Sequence, residues 1–146
     1  MPWSYHFDWS VYQQVPDGLA EVYLERLMMA REKPSRAYLD RLVDAHQRMI
    51  PFENLDTVLW NRPVSLEPDK LMEKILLKRR GGYCFELNGL FCILLSELGV
   101  RAALCPCRQL RHTEPCPVPA THCAILVFLD GLTTKKPLKL QRRISV

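Results

Sequence analysis

Apolar residues recur at three- and four-residue intervals up to Gly99, and beyond it they crowd into short, dense runs. Behind the breaker Pro16-Asp17-Gly18, the stripe Leu19, Val22, Tyr23, Leu24, Leu27 and Met28 predicts a helix over 19–31. Pro34-Ser35 ends that element and caps the next, which spans 36–49 on Tyr38, Leu39, Leu42, Val43 and His46. Ile50-Pro51-Phe52-Glu53-Asn54-Leu55 reads as extended, because a residue before proline avoids the helical region. A third helix opens at Pro68-Asp69 and buries Leu71, Met72, Ile75 and Leu76 over 69–79. The fourth runs from Cys84 to Leu98 on Leu87, Leu90, Phe91, Leu94, Leu95 and Leu98, with Gly99 as its stop.

The period then changes. Val100 to Arg108 reads as a strand, 109–121 with its prolines as a loop, and His122 to Leu129 as a strand buried on both faces, followed by the turn signal Asp130-Gly131. Helices first and strands after predict an α+β arrangement. Two strands make a poor sheet in water, so the β part reads as unfinished. The stretch after Gly131 has no aromatic or acidic residue and does not read as a continuing sheet. The expected division is a helical bundle over 1–99, a partial β domain over 100–131 and a basic, disordered tail over 132–146.

A chain of 146 residues with 48% apolar and 25% charged residues fits one soluble domain with an appendage. It shows neither a membrane-length apolar run nor a signal peptide at its start, so a cytoplasmic home is expected. The net charge of +4 is uneven, since every acidic residue lies at or before Asp130 while Lys135, Lys136, Lys139, Arg142 and Arg143 lie after it. A solvated basic end accounts for this better than nucleic acid or membrane as a partner. Cys84, Cys92, Cys105, Cys107, Cys116 and Cys123 are expected as reduced thiols. Cys105-Pro106-Cys107, with His112, Cys116, His122 and Cys123 beyond, invites a zinc reading; C-x-C spacing without a second pair argues against any metal. Cys92 reads as a small core residue.

The informative stretch is Arg80-Gly81-Gly82-Tyr83-Cys84-Phe85-Glu86-Leu87-Asn88. It mounts one cysteine at a helix N-terminus, behind two glycines and the basic run Lys78-Arg79-Arg80. Positive charge and the helix end both favour a thiolate, so a lowered thiol pKa is expected at Cys84. The glycines would let a substrate approach the backbone. Such a nucleophile needs a base. Of the four histidines, His6 lies in the N-terminal segment, His46 follows a helix stripe and His112 sits in the proline-rich loop. His122 opens the apolar strand and is favoured as the base, with a plain strand-capping histidine as the other reading.

These motifs resemble the arylamine N-acetyltransferase family. Arg80 to Leu90 is similar to its active-site signature; Tyr23-Leu24-Glu25-Arg26, Ile50 to Asp56, Pro63-Val64-Ser65-Leu66 and Thr121-His122 resemble further family motifs in the same order, over about residues 20–131. The resemblance implies a helical bundle, then an antiparallel β-barrel, in a cysteine-protease-like arrangement, then an α/β lid. It implies ping-pong transfer of an acetyl group from acetyl-CoA, as co-substrate, to arylamines or hydrazines in xenobiotic metabolism. Cys84 would be acetylated and His122 would hold its thiolate. Glu53 and Arg80 match charged positions used structurally around the active-site loop, and a pair between them is expected.

The chain departs from the pattern at about Leu132. The family joins the cysteine and histidine to an aspartate in a later strand, whereas no Asp or Glu follows Asp130 here. Eight residues of strand put Asp130 roughly 26 Å from His122, too far to orient it. A truncated or altered C-terminal reading would produce such a departure. Weak acetyl transfer is therefore expected, with self-association through open sheet edges. Two alternatives carry different signatures. A cysteine hydrolase or transglutaminase-like enzyme would cleave esters faster than it transfers acetyl, and a non-catalytic interaction protein would have a Cys84 no more reactive than its other thiols.

Overall fold

The computed structural model describes residues 15–108 and 121–128, together with the backbone of residues 110–111, 114–115 and 138–140. Helix α1, Leu19–Arg26, is shorter than its apolar periodicity predicts. Met28 takes a left-handed φ of 56°, and the amides of Met28 and Met29 turn back to the Glu25 and Leu24 carbonyls. This closes the last turn before the stripe ends. Helix α2, Arg36–Met49, starts where Ser35 Oγ accepts the Tyr38 amide at 3.1 Å, as an N-cap serine does.

The two helices meet around His46. The Tyr23 hydroxyl lies 2.7 Å from His46 Nδ1, the imidazole packs 4.7 Å from the Phe91 ring, and the residue is buried. Burial, with the nearby Arg26 charge as a second cause, pulls this histidine from 6.5 down to about 4. The unfolded chain therefore takes up the proton first as pH falls. Stability is full above the unfolded value and drains away towards the folded one. We expect a loss of about 2 kcal/mol between pH 7 and pH 5. Urea unfolding at both pH values checks this, and His46→Gln should flatten the slope.

After Ile50 the chain runs extended, as expected, and Phe52 forms a parallel bridge with Gly82. A short helix not foreseen in the sequence, α3, Leu55–Val58, follows. Helix α4, Pro68–Leu71, has proline in its first turn and continues into a wider π-helical turn over Met72–Leu77. Helix α5, Cys84–Glu97, ends before Gly99, whose φ of 79° suits glycine. Its buried residues point to both sides, because α1 packs on one flank and the sheet on another.

Strands β1, Arg101–Cys107, and β4, His122–Phe128, pair antiparallel from Arg101↔Phe128 to Cys107↔His122. Between them, in the stretch read as loop, lie two short strands, β2, Leu110–Arg111, and β3, Glu114–Pro115, which form a hairpin ladder. A third strand joins the main sheet in order β1-β4-β5: β5, Leu138–Leu140, pairs with Ile125–Val127. These three residues lie within the stretch read as a disordered tail. The two leucines of β5 alternate with Lys139, a pattern too short to stand out in a basic segment. Asp130, His6, His112, Cys116 and the rest of 132–146 lie outside the described residues. One core runs from Leu19 through α5 to Val127, so the change at Gly99 is one of secondary structure within a shared interior.

Candidate active site

Cys84 occupies the first position of α5, and a chain of charges fixes the turn that delivers it. The Glu86 carboxylate accepts the Tyr83 amide at 3.0 Å, closing the helix N-terminus. Its other oxygen meets Lys74 Nζ at 2.6 Å. Lys74 also meets Asp56 at 2.6 Å, Asp56 meets Arg80 at 2.9 Å, and Arg80 meets Glu53 at 2.8 Å. The expected Glu53–Arg80 pair is thus one end of a network with alternating sign. Arg80 also stacks over the Trp60 ring at 4.9 Å. The Arg80 bond holds the Asp56 carboxyl below its usual range, and the Lys74 bond adds to this. Burial pulls the Lys74 ammonium down, but its two carboxylate partners more than offset that, leaving its pKa raised.

The glycines serve the chain itself. A Cβ on Gly81 would lie 1.9 Å from the Pro51 carbonyl oxygen, and one on Gly82 would lie 2.8 Å from a Glu86 carboxylate oxygen. Gly81 admits the Pro51 backbone and Gly82 admits the Glu86 side chain, and the Glu53 amide donates to the Gly82 carbonyl at 3.0 Å. The expectation that they make room for a substrate is replaced by this packing. Replacing Glu53 by Gln should cost about 1–2 kcal/mol by removing one charged hydrogen-bond partner of Arg80. An unchanged melting temperature would dismiss the pair as a support.

The Cys84 thiol lies 3.9 Å from the Thr121 carbonyl, the residue before His122. The structure therefore brings the cysteine against the start of the strand that carries the histidine. His122 is half-buried there and pairs with Cys107 across the sheet. The thiol is not poised as the sequence suggests. Burial pushes its pKa up, and the backbone groups of Cys123, Phe85 and Cys84 itself offset this only in part. The basic run is spent elsewhere: Arg80 on Glu53 and Asp56, Lys78 on Glu73 at 2.7 Å. Burial likewise raises Cys92 to about 11 and Cys123 to about 12, so neither competes as a thiolate near neutral pH.

Sequence reading passed over Lys74, Glu86 and Asn88 as working residues. Glu86 was legible as a lone charge amid apolar helical residues, which must be paired if buried, whereas Lys74 sits among other charges and carries no such signal. Asn88 lies one helical turn beyond Cys84, and its side-chain amide donates to the Cys123 carbonyl at 2.5 Å.

Known proteins share this sequence and this layout. The model of a family described as N-acetyltransferase matches residues 37–133. An arylamine N-acetyltransferase of Mycobacterium tuberculosis is 44% identical over 101 residues, which are 67% of this chain and 35% of that protein. The solved arylamine N-acetyltransferase of Salmonella typhimurium superposes with a TM-score of 0.73 at 35% identity, covering 91% of this chain and 52% of that one. The Mycobacterium marinum enzyme, solved in complex with CoA, gives a TM-score of 0.71 at 37% identity, covering 81% of this chain and 44% of that one. The chain thus spans between about a third and about half of the length of these relatives. By the motif around Cys84, the matched family model and the shared fold, the chain belongs to the arylamine N-acetyltransferase family.

Proposed function

We propose that this chain carries the nucleophile half of an acetyl transfer from acetyl-CoA to an arylamine or hydrazine. The observation that carries the proposal is the seat of Cys84: first residue of α5, with its sulfur against the backbone that leads into His122. A buried thiol with a raised pKa must give up its proton to act. In this reading the His122 imidazole takes it. The thiolate attacks the thioester carbonyl, the carbon–sulfur bond to CoA breaks, and the departing CoA sulfur takes the proton from the imidazolium. The amine nitrogen then attacks acetyl-Cys84, loses its proton to His122, and the thiolate leaves. The name of the Mycobacterium marinum relative, solved with CoA, supports the donor, and the names of the relatives support the acceptor class.

We read the three strands as part of an antiparallel barrel in a cysteine-protease-like layout, and the cytoplasm as the place of work. Among the described residues no helix is long and apolar enough to cross a membrane. Residues 131–146 hold no acidic residue to orient His122, and acetylation by these 146 residues alone is proposed to be slow. Among the described residues β1 and β5 are the outer strands of the sheet, and their edges are offered as its surface for self-association.

The test is incubation of the chain with acetyl-labelled acetyl-CoA, followed by mass mapping. Label at Cys84 supports the reading. Label spread over all the thiols, or none, sinks it.

A further inference from the structure

Pro106 faces Cys123 in the β1–β4 register. A proline has no amide hydrogen, so this is a non-hydrogen-bonded pair of the ladder, and the Cys123 N–H and C=O both face away from β1. Asn88 donates to that carbonyl from α5, at 2.5 Å. The Cys84 sulfur takes the neighbouring backbone positions of the same strand, with the Thr121 carbonyl at 3.9 Å and a hydrogen bond from the Cys123 backbone. The described part of β5 pairs farther along, from Ile125 to Val127. Cys84 and Asn88, four residues apart on one helix face, thus attach α5 to the first residues of β4 on the side where the described part of β5 does not pair.

We propose that Asn88 is a positioning residue: its amide takes the Cys123 carbonyl, on the side of β4 turned away from β1, and so sets where Cys84 meets the backbone around His122. This rests on the reading of Cys84 as the acylated nucleophile. Without the amide, the seam between α5 and β4 loosens at the point where sulfur, imidazole and acyl donor must be aligned. A misplacement of about 1 Å is enough to cost roughly 100-fold in such a step.

The test uses the 146-residue chain with p-nitrophenyl acetate in a single turnover, the acylated residue mapped by mass. Asn88→Ala and Asn88→Asp should both acylate Cys84 at least about 10-fold more slowly at saturating ester, with the half-saturating concentration unchanged. Aspartate keeps the size of asparagine and loses the donor, so a space-filling role predicts that it is tolerated. Asn88→Gln keeps an amide and should recover part of the rate. Tyr38→Phe removes one hydrogen bond, to the Ala30 carbonyl, far from the seam and should leave the rate unchanged. Asparagine variants acylating at the unmodified rate, or a Tyr38→Phe loss equal to theirs, would overturn the proposal. An unmodified chain in which Cys84 is not acylated would instead overturn the catalytic reading beneath it.

Discussion

His122→Gln is expected to slow acylation of Cys84 by about 10²–10⁴-fold, while leaving the melting temperature nearly unchanged. The rate should fall because burial raises the Cys84 pKa, while Lys78 and Arg80 of the basic run near it are already paired with carboxylates. Something within reach must take the thiol's proton, and the strand that meets the sulfur opens with an imidazole. Stability should hold because glutamine keeps the backbone pairing to Cys107 and can sit at the half-buried start of β4. The measurement is the pH dependence of the single-turnover acylation rate. The unmodified chain should lose rate below the pKa of its base, and the variant should follow only the thiol. Equal rates near neutrality would remove His122 from the mechanism.

Lys74→Met is expected to destabilise the fold by about 3–5 kcal/mol, the range for breaking a buried ion pair from one side. Lys74 is the only described cation on Glu86, whose side chain is 2% exposed, and it shares Asp56 with Arg80. Methionine fills much of the same volume, so the loss would report charge more than packing. Urea unfolding would show a midpoint lowered by at least about 1 M. The exposed Lys78–Glu73 pair is the comparison: Lys78→Met should leave the midpoint where it is. A small loss for Lys74→Met would mean that water reaches Glu86 once the ammonium is gone. The cysteine turn would then not depend on this network.

The helices other than α3 were legible because each keeps an apolar stripe of helical period, and Ser35 and Gly99 mark boundaries by their own chemistry. The end of α1 was not, because Met28 turns left-handed against the preference of its side chain, and periodicity carries no record of that. The Cys84 turn was legible in its residue types and misread in its electrostatics. Sequence places Lys78, Arg79 and Arg80 close to the thiol along the chain. Which carboxylates Lys78 and Arg80 find depends on the wide turn that presents Glu73 and on Glu53 and Asp56, brought in by another segment. The tie through Asn88 was illegible for the same reason. It needs the register that turns the Cys123 carbonyl away from β1, and register is a property of two strands together.

The wide turn over Met72–Leu77 has a consequence for insertions and deletions. Its last amide, Lys78, reaches five residues back to Glu73, and the Arg80 amide then returns to the Lys74 carbonyl. That spacing is what lets an ammonium and a guanidinium converge on one carboxylate at Asp56. Dropping a single residue there would restore an ordinary helix, and circular dichroism would report nothing amiss. The convergence would be lost by about a quarter of a revolution. In this segment, a tally of helical content is blind to the damage that matters.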